Sequence, residues 1–309
     1  MKIFIYLERS PVRGGIEIFA ERHAEALRKC SNDVTIGSCV PDRQHDYDSI
    51  IVHKCSSAKT LERFDEVKTT YYVHDHEPIC PRRHAYTALG NNCSRCSGVW
   101  PCIICAPVCR SPLKAVCRVM MQRRRLRTMS HLGRIVVISQ FMKSRLIKNG
   151  IRPQIISVEP PVISTNGIVR SSAPDIDILY AGQLIRGKGV HLLLRALALV
   201  NSSRSLDIVG TGNMEKKLRK LSERLGVAGR VRFHGFQTDA RSWMARARCV
   251  VVPSFWQEPY GLVAAEAVAL GIKTVVFNVG GLPEAAQGKA TLVEPCNILA
   301  LAHAIEETC

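Results

Sequence analysis

From Ile176 to the end the chain repeats one pattern, a short apolar strand, a loop carrying glycine and a helical run, and this alternation restricts the fold more than any other feature. The spacing predicts a strand over 176–180, the loop Ala181-Gly182-Gln183-Leu184-Ile185-Arg186-Gly187-Lys188-Gly189, and a helix over 190–199. Strand 205–209 then runs into Gly210-Thr211-Gly212 and a helix over 214–225, and strand 230–234 into Gly235 and a helix near 240–247. Strand 249–252 leads into Pro253-Ser254, and strand 274–277 into Gly280-Gly281-Leu282-Pro283-Glu284. Elements in this order bury their apolar faces as a doubly wound parallel sheet. The loops at its carboxyl ends are rich in glycine and basic residues, as a phosphate site requires. Gly210-Thr211-Gly212 lacks the third glycine of a dinucleotide fingerprint and carries no weight alone. Asp175 and Asp177 have the spacing of a metal-binding carboxylate pair, but they precede their strand, at the sheet end away from the loops.

The first half has the same order with an interruption. A strand over 2–7 is followed by Gly14-Gly15, and Ile16, Phe19, Ala20, His23, Ala24 and Leu27 then recur at helical spacing. Glycine lets a ligand approach the backbone closely, so Gly14 and Gly15 are candidates for an anion or substrate cradle, with a plain tight turn as the alternative. Further strands are expected over 33–37, 49–53 and 69–73, the last ending in His74-Asp75-His76-Glu77-Pro78. Open α/β sheets bind ligands at the carboxyl ends of their strands, which makes His74 a candidate site residue. Two residues apart in an extended chain, His74 and His76 point to opposite faces, which argues against a shared metal.

The interruption is a basic, cysteine-rich insert over about 78–130. From Pro78 to Val158 there is no Asp or Glu, yet fifteen Lys and Arg residues lie there, against a net charge of +17 for the chain. Such a field implies an anionic partner such as lipid headgroups, an acidic acceptor or nucleic acid, unless it is only a solvated face. Within the insert, Cys93-x2-Cys96 and Cys102-x2-Cys105 are able to give four thiolates to a structural zinc. The short gap between the pairs favours unliganded thiols packing an irregular segment instead, and redox chemistry is a third reading. The basic helix expected over 111–129 is of the kind that lies on a membrane surface, or that packs with its arginines outward. Glu159-Pro160-Pro161 and the polar stretch 164–174 read as a linker, giving domains 1–165 and 166–309. Apolar runs fall far short of the ~20 residues of a membrane span, and the N-terminus reads as a strand and not a signal peptide. A cytoplasmic protein is expected, with its thirteen cysteines as thiols or metal ligands and not a disulfide framework.

The densest motif is Glu258-Pro259-Tyr260-Gly261-Leu262-Val263-Ala264-Ala265-Glu266. Read as a continuous helix, it separates the two carboxylates by about 12 Å along the axis. That exceeds the ~5–9.5 Å of a glycosidase acid–base pair. It suits gripping both ends of a long ligand with an anion over the helix N-terminus, the shape of a nucleotide sugar.

Taken together, the glycine pair, the strand ending in His74-Asp75, the 182–189 loop, Pro253-Ser254-x3-Glu258-Pro259-Tyr260-Gly261, Glu258-x7-Glu266 and Gly280-Gly281-Leu282-Pro283-Glu284 resemble the family 4 retaining glycosyltransferases. The resemblance covers nearly the whole chain, is strongest over 178–284, and points toward bacterial surface-polysaccharide enzymes. It implies the GT-B fold, two Rossmann-like doubly wound parallel-sheet domains facing across a cleft, with the acceptor on the first and a nucleotide-diphosphate sugar donor on the second. By the same resemblance Glu258 holds hydroxyls of the donor sugar, and the amides of Tyr260, Gly261 and Leu262 face the sugar and β-phosphate. Glu266 binds the ribose, Gly182 lies in the loop beside the diphosphate, and Lys188 contacts the diphosphate and neutralises the leaving nucleotide without a metal. Arg186 supplies a second positive charge, because Gln183 stands where members commonly carry Arg. His74 sits beside the transferring sugar, and Gly14 and Gly15 line the cleft. Members normally continue into a last helix crossing back to the first domain, and the C-terminal domain here is expected to lack it.

The expected function is therefore a retaining, metal-independent transfer of a sugar to a hydroxyl of a lipid-linked or anionic glycan acceptor. Peripheral contact with an anionic membrane surface is expected, and no nucleic-acid partner. A nucleotide-sugar epimerase or hydrolase on the same fold is the alternative. A zinc-containing nucleic-acid-binding protein is a remote one, since it leaves the second half unexplained.

Overall fold

In the computed structural model, which describes residues 1–8, 15–82, 84–86, 92–93, 102, 112–165, 167–200 and 204–309, the second half of the chain forms one six-stranded sheet. Its strands are β7 (Ile176–Ala181), β8 (Leu206–Val209), β9 (Val231–Phe233), β10 (Ala247–Val252), β11 (Lys273–Phe277) and β12 (Thr291–Val293). All pair in parallel, in the order β9-β8-β7-β10-β11-β12. Strands of a parallel sheet covered on both faces read as near-continuous apolar runs, and β7 buries Ile176, Ile178, Leu179, Tyr180 and Ala181. The helix Val190–Leu199 buries Val190, Leu192, Leu193, Leu194, Ala196 and Leu197, so it is covered round most of its circumference. The strand order reverses between β7 and β10, the position where open α/β sheets bind ligands at their carboxyl edge.

The first half forms a second six-stranded parallel sheet from β1 (Lys2–Leu7), β2 (Asp33–Gly37), β3 (Ser49–Lys54), β4 (Thr69–Val73), β5 (Arg134–Val137) and β6 (Ile156–Val158). Their order is β2-β1-β3-β4-β5-β6, so the reversal lies between β1 and β3. Alternate residues serve opposite faces. Phe4, Tyr71, Ile135 and Val137 join Leu126, Met129, Met142 and Leu146 in one apolar cluster. Ile3, Ile5, Ile51, Tyr72 and Val136 pack with Ala24, Phe19 and Leu27 on the other. The helices concerned are α1 (Gly15–Lys29) on the second face and α3 (Pro112–His131) and α4 (Gln140–Lys148) on the first, with the short α2 (Ala58–Leu61) beside α3. Ser139 starts α4 as its cap, its hydroxyl accepting from the Met142 amide at 3.0 Å.

The chain thus divides into two compact units, Met1–Pro160 and Pro161–Cys309, each a doubly wound parallel α/β sheet. The basic segment is not one solvated face. Arg125 and Arg145 are buried, Arg124 pairs with Glu62, and Arg134 pairs with Glu159. Asp175 and Asp177 are committed to arginines, Arg246 and Arg248, and Asp177 also accepts from the Ser205 amide and hydroxyl. Contrary to the expectation of thiols throughout, Cys249 of β10 and Cys309, their Cα atoms 5.3 Å apart, are joined as a disulfide. Cys93 is a free thiol, and Cys96 and Cys105 lie outside the described residues. No helix among the described residues is long and apolar enough to cross a membrane.

Candidate functional site

At the second sheet's reversal, one loop from each side supplies a charge. After β7 the chain turns through residues 182–185 into a single 3-10 turn, Arg186–Lys188. After β10 it runs through Pro253 to Gly261 before α8 (Leu262–Ala269) begins; the helices between are α5 (Val190–Leu199), α6 (Glu215–Arg224) and α7 (Ala240–Ala245). The loops are tied by the Phe255 amide donating to the Gly187 carbonyl at 3.1 Å. Gly189 is required here. Its φ is +74°, and a Cβ would lie 1.8 Å from the Pro253 carbonyl oxygen. Gly189→Ala is expected to cost the second unit roughly 2 kcal/mol or more, from the left-handed backbone and the displaced loop together, and a denaturant melt unchanged from wild type would contradict this docking.

Across this junction Lys188 Nζ donates to Glu258 Oε1 at 2.5 Å, both side chains mostly buried. The ammonium also lies 5.9 Å from the centre of the Trp256 ring. Burial pushes the Glu258 carboxyl up, but the charge and hydrogen bond of Lys188, helped by Ser254 and Trp256, outweigh it and hold the group below the usual carboxylate value. A charged pair therefore stands ready at neutral pH. Gly280 and Gly281 close on it from behind, the Gly281 amide donating to the Glu258 carbonyl at 2.8 Å.

The helix occupies the run expected after the motif, from Leu262, but Glu258 is not part of it. Pro259 and the left-handed Gly261 (φ +115°) keep Glu258 out of α8. Glu266 is thus one turn into the helix, about 6 Å of rise from its start, and the 12 Å estimate over a continuous helix does not hold. Gly261 offers no side-chain cap, and the first intrahelical bond runs from the Ala265 amide. The amides of Leu262, Val263 and Ala264 therefore precede the helical ladder at the positive end of its dipole. Tyr260 turns its ring into the core, Arg186 is exposed in the facing loop, and Gly182 holds φ +149°. The second-unit candidates come together on this edge, apart from Glu266, which is half-buried on α8.

In the first unit Gly14 lies outside the described residues and Gly15 opens α1. His74 follows β4, half-buried, and it is the end of a chain of three imidazoles. His53 Nδ1 lies 3.0 Å from His74 Nε2, and His53 Nε2 lies 3.1 Å from His23 Nδ1. The central ring uses one nitrogen toward each neighbour, so the rings hand hydrogen bonds along a line and do not converge on a point as metal ligands would. Phe19 of α1 packs against His53 and His74, with centroids 5.5 and 5.0 Å away. His76 is instead buried against Phe141.

Burial, with the other histidines, lowers the pKa of His74 to about 4 and of His53 to about 2. His23 is lowered by burial, with Glu159 opposing. All three are neutral in the fold at pH 7, whereas unfolded imidazoles protonate near 6.5. Below pH 6.5 the unfolded chain binds more protons than the native one, so stability is lost as pH falls toward 4. We expect the melting temperature to drop between pH 7 and 4.5, and His53→Gln to flatten that slope. Equal slopes in variant and wild type would sink the assignment. His23 and His53 were not anticipated; the one local signal is a histidine closing the apolar run Ile50-Ile51-Val52.

Residues 168–309 match the family described as Glycosyl transferases group 1. An uncharacterized glycosyltransferase from Methanocaldococcus jannaschii is 36% identical over 149 residues, which are 46% of this chain and 38% of that protein. This chain thus spans well under half of that relative's length. Two solved structures share the fold over both units. Anabaena Alr3699/HepE in complex with UDP superposes with a TM-score of 0.70 at 20% identity, covering 99% of this chain and 89% of that one. WaaG, a glycosyltransferase involved in lipopolysaccharide biosynthesis, gives 0.64 at 16% identity, covering 100% and 90%. Residues 168–309 are thus similar to glycosyl transferases group 1 domains, and with the parallel-sheet unit before them the chain has the GT-B fold.

Proposed function

We propose that the protein is a retaining, metal-independent glycosyltransferase that moves a sugar from a nucleotide-diphosphate sugar to a hydroxyl of a lipid-linked or anionic glycan acceptor. The observation that carries this is the Lys188–Glu258 pair at the β7/β10 reversal, beside an uncapped helix N-terminus. A diphosphate suits the free amides and the dipole of α8. Glu258, ionised and fixed, accepts hydrogen bonds from sugar hydroxyls. Glu266 takes the ribose hydroxyls one turn along. Lys188 and Arg186 stabilise the negative charge that grows on the leaving nucleotide, an electrostatic role that needs no metal. With a carboxylate occupied in holding hydroxyls, attack on the donor's front face fits better than a covalent intermediate, and the leaving phosphate takes the acceptor's proton. The UDP bound to the Anabaena neighbour makes a uridine nucleotide the first donor to try.

The first unit, with His74 at its carboxyl edge, is assigned the acceptor's side. The early part of α3 exposes Leu113, Val116 and Met120 on one face of a basic helix, a surface suited to an anionic membrane. Sedimentation with vesicles containing anionic lipid, lost in high salt, is the expected result, and no binding at low salt would remove the membrane contact. The function itself is tested by incubating the protein with nucleotide sugars, with and without glycan acceptors, and following the anomeric proton of the product by NMR. An inverted linkage would refute the retaining mechanism. Epimer or free sugar formed without acceptor would refute transfer.

A further inference from the structure

A cavity of about 670 Å³ opens on the carboxyl edge of the first sheet. Three elements converge on it. Ser56 and Ser57 come from the loop after β3, Glu77, Cys80, Pro81, Arg82 and His84 follow β4, and α3 presents Arg118, Gln122 and Arg125. The α3 residues recur at i, i+4 and i+7, so they form one stripe of the helix. It runs from an exposed Arg118 to Gln122 and Arg125, which are 6% and 5% exposed. The cavity lies by the sheet's own reversal point, where Glu8, following β1, accepts from the Ser56 amide and hydroxyl at 2.9 and 2.6 Å.

Its electrostatics select an anion. Among the described residues Arg82, Arg118 and Arg125 line it against the carboxylate of Glu77. Burial and Arg82 lower the His84 pKa, so that ring adds no charge at neutral pH. Arg125 spends one nitrogen on Glu77 at 3.4 Å and another on the Tyr71 hydroxyl. Among the described residues its Nε has no hydrogen-bond partner, and neither has Gln122 Oε1. A buried polar atom left so costs about 1–3 kcal/mol, which a ligand recovers. The two atoms ask for different things, since Nε–H donates to an oxyanion and the amide oxygen accepts from a hydroxyl. The volume is that of a small-molecule site, of the order of 300–1,000 Å³, and more than a bare phosphate fills.

We propose that this cavity binds a phosphorylated sugar, the phosphate on Arg118 and Arg125 and a sugar hydroxyl on Gln122. Resting on the glycosyl-transfer reading only for this point, the sugar phosphate is the recognised part of the acceptor. It arrives either as a soluble ester or as a sugar linked through phosphate to a lipid.

Isothermal titration on the full chain, without donor, tests it. The probes are glucose 6-phosphate, a farnesyl-phosphate-linked glucose in mild detergent, and glucose. Wild-type protein and Lys188→Ala should bind at least one phosphorylated probe equally, and glucose should bind at least tenfold more weakly. Arg118→Gln, an exposed change on α3 that leaves the melting temperature in place, should weaken the phosphorylated probe at least tenfold. Binding of the soluble ester supports a soluble acceptor, and binding of the lipid-linked probe alone supports a membrane one. Binding of neither, equal binding of glucose, or unchanged binding in Arg118→Gln overturns the proposal. Equal loss in Lys188→Ala would place the phosphate in the second unit and overturn it too. Since no transfer is measured, failure here is separate from failure of the donor site.

Discussion

Glu258→Gln should lower kcat/KM for donor consumption by about 100-fold or more while the second unit stays folded. The amide keeps the shape of the carboxylate and a hydrogen bond to Lys188, which holds Glu258 Oε1 at 2.5 Å, but it loses the charge and half of the acceptor capacity. Lys188→Ala should cost a similar factor in rate for a different reason, by removing the cation meant for the leaving diphosphate. It also strands a buried carboxylate, so a stability loss of up to about 3–5 kcal/mol accompanies it unless Glu258 protonates. The two variants therefore separate catalysis from folding. Glu258→Gln melts near wild type and Lys188→Ala melts lower, yet both are slow. The rate measured beside a thermal melt decides the matter, and near-normal activity in either variant removes the site from this edge of the sheet.

The second large effect is on stability. Arg125→Met should destabilise the first unit by about 3–5 kcal/mol, because it removes a buried cation 3.4 Å from the mostly buried Glu77 carboxylate. The guanidinium also bonds the hydroxyl of Tyr71, a fully buried ring whose own pKa burial raises to about 12. Methionine fills the volume without strain, so the loss reports the ion pair and not a hole. For a unit of this size the melting temperature should fall by roughly 10 °C. A melt within a degree or two of wild type would mean that Arg125 is held for ligand alone and contributes nothing to the fold.

What the sequence disclosed follows from the range of the interactions involved. Strands such as Thr69–Val73 and the helix Val190–Leu199 were legible because an apolar period and a glycine boundary are local signals. The loops bearing Lys188 and Glu258 were legible because glycine crowds where two backbones approach, as Gly189 and Pro253 do. The separation of Glu258 from Glu266 was misjudged because Glu258, Tyr260 and Leu262 to Ala269 all suit a helix, and the left-handed turn at Gly261 keeps Glu258 outside it. The imidazole chain joins residues 30 and 21 apart in sequence, and the Cys249–Cys309 disulfide spans 60. Each is created by the sheet and leaves no mark on its neighbours in the chain. The phosphate-selective cavity was hidden for a further reason. Its arginines looked like part of a uniform basic stretch until folding buried Arg125 and left Arg118 at the mouth.

The central claim is that the edge carrying Lys188 and Glu258 holds a nucleotide diphosphate. Titrating UDP, then the other nucleoside diphosphates, into wild-type and Lys188→Ala protein by isothermal calorimetry tests it most directly. We predict saturable one-to-one binding of at least one nucleotide, weakened at least tenfold, about 1.4 kcal/mol, by the substitution. Binding of equal strength in both proteins, or of no nucleotide to wild type, would contradict it.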